Sequence, residues 1–177
     1  MSSVHHKRVL GQDLPSCAGR HCSGQGMAGL ALLVTISLLA GDAVGQTTNY
    51  WAPTSGAGGT GTWATTQAFW APNADGSGTK ALWNNALTNN VARFGGTAGT
   101  VTTGTAVLAN RLSFDTTGYV LAMSGAGTVT LNGSSPEISL ASGVAAEISA
   151  NLAGTAGLST SGGGGSVLTL SGSSTKG

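Results

Sequence analysis

Charge is what this chain has least of. Only 7% of its 177 residues are Asp, Glu, Lys or Arg, and the formal net charge is +1. No basic field exists that would draw in nucleic acid. Cysteine and histidine are scarcer still: Cys17, Cys22, His5, His6 and His21 all precede residue 23. If that stretch is removed, the remainder holds neither residue type. This excludes a disulfide framework, a Cys or Ser–His nucleophile system and ordinary zinc or iron sites. A thiol-free chain also suits an oxidising exterior. Two cysteines and a histidine ahead of an apolar run lack the second half-site of a zinc ribbon. After residue 45 no run of helical period occurs.

One long hydrophobic run is present, Met27-Ala-Gly-Leu-Ala-Leu-Leu-Val-Thr-Ile-Ser-Leu-Leu-Ala40. Lys7, Arg8 and Arg20 precede it, and the small-residue exit Gly41-Asp-Ala-Val-Gly45 follows. Basic, apolar and small-residue regions in that order predict a secretory signal peptide over 1–45, cut after Gly45 or Ala43, with Met1 or Met27 as the start. The run is shorter than the roughly 20 residues of a spanning helix, which disfavours a permanent anchor. Cys22 lies before the run, so it is not placed as a lipoprotein cysteine.

What the chain does have is glycine, 30 residues of it, set between short strands. Arg111-Leu-Ser-Phe-Asp115, Thr128-Val-Thr-Leu-Asn132, Glu137-Ile-Ser-Leu140, Glu147-Ile-Ser-Ala150 and Val167-Leu-Thr-Leu-Ser171 each alternate apolar with polar. Period two over four or five residues, bounded by Gly, is the signal of half-buried strands. The stretch Leu158-Ser-Thr-Ser-Gly-Gly-Gly-Gly-Ser-Val-Leu-Thr-Leu-Ser-Gly172 repeats, in stronger form, the plan of Ser124-Gly-Ala-Gly-Thr-Val-Thr-Leu-Asn-Gly133. Ile138, Ile148, Leu158 and Leu168 fall at equal spacing between them. A repeated unit of this kind stacks on itself and buries its apolar face only against its neighbours. The predicted fold is therefore all-β, a right-handed parallel β-helix-like solenoid over 96–177, with Leu131, Ile148 and Leu168 in one inward column. A β-sandwich is the alternative; it explains the strand spacing but not the repeat.

All four tryptophans, Trp51, Trp63, Trp70 and Trp83, lie in 46–95 with Tyr50, Phe69 and Phe94. An aromatic platform for sugar rings is one reading. The favoured one is an N-terminal cap, because the terminal unit of a stack is atypical and aromatics close an exposed end over large area.

The motifs Ser124–Gly133 and Gly157–Gly172 resemble the autotransporter-associated β-strand repeat, whose usual form is G-L-x-K-x-G-x-G-T-L-x-L-S-G. Upstream, Gly61-Thr-Trp63, Trp70, Trp83-Asn-Asn85 and Ala92-Arg-Phe-Gly-Gly-Thr-Ala-Gly-Thr-Val-Thr102 look similar to the N-terminal region of such passengers. The resemblance covers nearly all of 49–177 and implies a parallel β-helical passenger, secreted or displayed on the outer surface of a Gram-negative-type bacterium. There are departures: Thr160 stands where the repeat has Lys, and Gly162–Ser166 is a lengthened turn. Ser173-Ser-Thr-Lys-Gly177 replaces the usual start of a next unit, and no membrane-barrel segment follows. The expectation is a fragment of a longer protein or a short relative without a translocator. Its last rung would leave an open strand edge suited to self-association.

Chemistry is thinly signalled. Gly162–Gly165 lacks the Asp that a calcium-binding glycine repeat needs, and Asp75-Gly-Ser-Gly-Thr-Lys80 lacks phosphate-loop spacing. Asp75, Asp115, Glu137 and Glu147 are the acids after residue 45. Arg111, Asp115, Glu137 and Glu147 are the candidates for a polysaccharide-cleaving cluster. Glu137 and Glu147 each precede Ile-Ser, so one shared outer face would bring them to the carboxyl spacing of a glycosidase, about 5–10 Å. Ordinary solvated charges are the favoured reading. No catalytic, cofactor-binding or metal residue is assigned. The expected function is a noncatalytic exported passenger for adhesion, matrix contact or self-association, with glycans or surface components as partners and no nucleic acid. Membrane contact is expected only through the export signal or a missing translocator. A polysaccharide-active enzyme on the same fold and a structural spacer are the alternatives.

Overall fold

The computed structural model describes residues 45–176. The predicted signal peptide, both cysteines and all three histidines lie outside them, apart from Gly45 itself. Among the described residues there are fifteen strands and no helix.

The chain opens with β1 (Thr47–Trp51), β2 (Gly61–Trp63) and β3 (Trp70–Ala71). A first full turn follows as β4 (Asn90–Phe94), β5 (Thr100–Thr103) and β6 (Val107–Ala109), and a second as β7 (Arg111–Phe114), β8 (Tyr119–Met123) and β9 (Thr128–Leu131). The third is β10 (Glu137–Leu140), β11 (Ala145–Ile148) and β12 (Asn151–Gly154), and the last is β13 (Ser159–Gly162), β14 (Val167–Leu170) and β15 (Ser174–Lys176). Strands that follow one another in sequence do not pair. Each pairs with the strand one turn away, so three sheets form with orders β13-β10-β7-β4-β1-β3, β14-β11-β8-β5-β2 and β15-β12-β9-β6. Every pairing between turns is parallel, and β3 alone runs antiparallel, against β1. This is a β-solenoid of about four turns, each of roughly 20–27 residues. It is not a sandwich. The first full turn starts at β4, inside the tryptophan-rich stretch, and stacks in register on β7.

The alternation of side chains places the core on the axis. On the first sheet Ala92, Leu112, Ile138 and Thr160 stack, and beside them Phe94, Phe114, Leu140 and Gly162. The Phe94 and Phe114 rings lie 5.0 Å apart and nearly parallel, at 17°. On the second sheet Val101, Leu121, Ile148 and Leu170 form a column, with Tyr119, Ala146 and Leu168 beside it. Val107, Val129 and Leu152 stack on the third. Full burial of one such aliphatic contributes about 1.5–3 kcal/mol, so the columns supply most of the stabilisation.

Two expectations need correction. Leu131, Ile148 and Leu168 do not form one column: Leu131 belongs to the third sheet, while Ile148 and Leu168 occupy different columns of the second. Equal spacing along the chain steps from one sheet to the next, whereas stacked neighbours are a whole turn apart. The strand expected over Glu147–Ala150 lies two residues earlier, at Ala145–Ile148, because Ser149 and Ala150 turn the chain into β12, both donating to Leu121 O.

Glycine does specific work at the corners. In Gly125-Ala-Gly127, Gly125 has φ +61 with open space around it. Gly127 is different: a Cβ there would sit 2.0 Å from Thr103 O of the turn below. One glycine supplies a left-handed φ and the other a close approach.

Candidate functional site

Half of the charged groups in 45–176 gather on the outer face of the first sheet. Register brings Arg93 of β4 beside Tyr50 of β1, and Glu137 of β10 beside Arg111 of β7. Arg93 Nε donates to Asp115 Oδ2 at 2.5 Å, and its guanidinium lies 5.8 Å from the centre of the Tyr50 ring. The hydrogen bond to Asp115 holds the Arg93 pKa above its ordinary value. Arg111 pairs with Glu137, and Ser161 Oγ of the turn above donates to the same carboxylate. Each ion pair therefore bridges two turns. Both are partly exposed, with Glu137 the most covered at 16%, so each contributes only about 0.2–1 kcal/mol.

Glu147 is elsewhere. It lies on β11 in the second sheet, where Ser171 Oγ donates to it at 2.8 Å. The outer face imagined for Glu137 and Glu147 together does not exist, because Glu137 begins β10 of the first sheet whereas Glu147 is the third residue of β11 in the second. Of the four candidates, Arg111 and Glu137 meet, Asp115 is engaged by Arg93, and Glu147 stands apart. Among the described residues no three His, Cys, Asp or Glu side chains cluster closely enough to hold a metal ion.

The tryptophans are not a platform. Trp51, Trp63, Trp70 and Trp83 are all 2% exposed or less. Trp63, Trp70 and Trp83 pack edge to face or tilted with ring centres 4.6–5.0 Å apart, and Phe94 of the first full turn joins them. Their area goes into the interior, leaving no indole face to receive a sugar.

The glycine-rich Asp75–Lys80 string also proves structural. Ser77 N donates to Asp75 Oδ1 at 2.9 Å, closing a turn, and the Ser77 hydroxyl, with this amide second, holds the Asp75 carboxyl below its ordinary pKa. A Cβ on Gly76 would sit 2.3 Å from the Gly56 backbone. The loop's backbone lies against another loop where a phosphate would have to enter.

Two surface depressions lie at a corner of the solenoid. One, of about 410 Å³, runs along Leu131–Gly133 and Gly154–Ala156. The other, of about 530 Å³, is lined by the neutral amides and hydroxyls of Gln46, Thr88, Asn89, Asn110, Ser134 and Ser135. Neither contains an ionisable side chain.

What sequence reading missed is the work of Asn85, which it gave no role of its own, and the backbone contact made by Trp83, which it read only as one of the capping aromatics. Trp83 Nε1 donates to Leu108 O at 2.9 Å, Asn85 Nδ2 donates to Ala106 O at 3.0 Å, and Leu108 N donates to Asn85 Oδ1 at 2.9 Å. No local pattern announces contacts to a strand more than twenty residues away.

No family model matches the chain, and no solved structure matches it. Among curated proteins it is similar to the Adhesin BmaC autotransporter of Brucella suis biovar 1 (strain 1330), with 42% identity over 147 residues, 81% of this chain. The matched stretch is 4% of that protein's length. An autotransporter adhesin of a Gram-negative bacterium is thus a homologue of most of this chain, and the β-solenoid fits a fragment of an autotransporter passenger, secreted or held at the outer-membrane surface.

Proposed function

We propose that the chain is a noncatalytic segment of an exported passenger, and that its solenoid presents a long polar surface for adhesion to glycans or matrix components. In this reading residues 1–45 are the export signal and 46–95 the N-terminal cap of the stack. The observation that carries it is the joining of two findings: a β-solenoid whose outward positions are mainly Thr, Ser, Ala and Asn, and homology to an adhesin. A ladder of short neutral side chains offers many donors and acceptors with little conformational entropy to lose on contact. Weak contacts repeated along an extended face add through multivalency. The acids support the noncatalytic assignment, since Glu137 and Glu147 stand on different sheets and each is occupied by a neighbour one turn away.

The chain anchored on a non-adherent bacterial cell is expected to confer adhesion to immobilised glycans or matrix proteins, above an anchor-only control. Adhesion equal to that control across the panel would overturn the reading. Release of reducing sugar from the same glycans, lost in Glu137→Gln or Glu147→Gln, would make the protein an enzyme instead.

A further inference from the structure

The two ends of the stack are built differently. At the N-terminal end β3 lies along β1, and on its far side Ala81 exchanges both backbone hydrogen bonds with Trp70. Among the described residues the third sheet has no strand outside β6. Even so, the backbone groups on that side are taken. Ala109 O faces β9 and accepts from Asn132 N. Ala106 O, Leu108 N and Leu108 O face the other way and receive the Asn85 amide and the Trp83 indole described above. A primary amide carries a donor and an acceptor side by side, as a strand presents them. Asn85 therefore replaces a paired residue, and Trp83, anchored by its buried ring, closes the next position. At the opposite end, β13, β14 and β15 have no strand beyond them among the described residues, and Leu170 is 50% exposed.

We propose that Trp83 and Asn85 form an edge clip, a side-chain substitute for a strand, which bars β6 from pairing with a strand of a second copy of this chain. An unpaired strand edge is a template for such pairing. End-to-end stacking of solenoids is a heterologous contact, and it propagates into fibres unless one of its two surfaces is blocked. The clip blocks one. At that end of the stack Asn85 and Trp83 leave β6 no free backbone partner to offer a second copy. The inference rests on the fold and is independent of the adhesive role.

The test compares the full chain with Asn85→Ala and with the double variant Asn85→Ala, Trp83→Phe, after circular dichroism has verified strand content. Hydrogen exchange at the Leu108 amide is expected to become roughly tenfold faster, the change that loss of one net hydrogen bond gives. Sedimentation is expected to show species larger than those of the unaltered chain, growing with concentration. Labelled unaltered chain should join them, since it retains the C-terminal edge. Unchanged Leu108 exchange would overturn the proposal, and so would a folded variant that sediments as the unaltered chain does. Asn85 is only partly buried and stands outside the core. If the double variant fails to fold, Asn85→Ala alone decides the matter.

Discussion

At the scale of single residues, position in a column governs the cost of change. Ile148 is 1% exposed between Leu121 and Leu170. Truncation to Ala is expected to cost about 2–5 kcal/mol in denaturant unfolding, for lost transfer energy and the cavity together. Ile148→Asp should cost more, because the carboxylate would have no partner there. A midpoint unchanged by Ile148→Asp would show that this column is wrongly placed. Tyr119 makes a second, pH-linked case. Its hydroxyl donates toward Gly95 O and Thr97 O, at 2.7 and 2.8 Å, and burial pushes its pKa from 10.0 up to about 12. Below pH 10 both folded and unfolded chains keep the proton and stability is unaffected. Between 10 and 12 the unfolded chain loses the proton first, so stability falls as pH rises, by up to about 1.4 kcal/mol per unit. Tyr119→Phe should remove that component of the slope in unfolding measured across this range. An identical slope in the variant would assign it to other groups.

At the scale of elements, the turns between strands decide whether one rung can lie on the next. Gly125 and Gly127 precede the same strand, β9, and face different constraints. Gly125→Ala meets only the left-handed φ, a penalty of about 1–2 kcal/mol. Gly127→Ala would drive a Cβ into the Thr103 carbonyl, and backbone on both sides must shift to admit it. Thermal unfolding is expected to show the larger loss for Gly127→Ala. The reverse order would mean that the rungs are not held this closely at the corner. Before β14, Gly163 and Gly165 divide the same two tasks in the reverse order: a Cβ on Gly163 would stand 2.5 Å from Ser142 Cα, and Gly165 has φ +75. The Gly-x-Gly of the repeat thus encodes a turn and a contact between rungs.

At the scale of the whole molecule, the stack is a chain of nearest-neighbour contacts in which each turn stabilises the next. The charged pairs fit this scheme: Arg93 with Asp115 and Arg111 with Glu137 link successive turns on the first sheet, and Ser171 with Glu147 does so on the second. Displacement of one turn by two residues would separate these partners, so the few charges of the chain help to set vertical register while adding little stability. The two ends differ in kind. The first is overlaid by β3 and by side chains of Trp83 and Asn85; the last described turn leaves Leu168 and Leu170 only partly covered.

The amino-acid sequence by itself determined the strand class and the inward residues. Leu112, Phe114, Val129, Leu131, Ile138 and Ile148 were legible as core because strand geometry sends alternate side chains to one side, whatever the tertiary arrangement. Repetition of a short glycine-bounded unit pointed to a solenoid, since such units bury apolar surface only by stacking. Tertiary structure alone decided which residues share a column and which acids share a face. Turn lengths differ from rung to rung, and a shift of one strand position reassigns every neighbour. For that reason Ile148 stacks on Leu121 and not on Leu131, and Glu137 meets Arg111 and not Glu147. The clip made by Trp83 and Asn85 belongs to the same class. A side chain can replace a strand only where the fold brings it to an open edge, and no local pattern records that position.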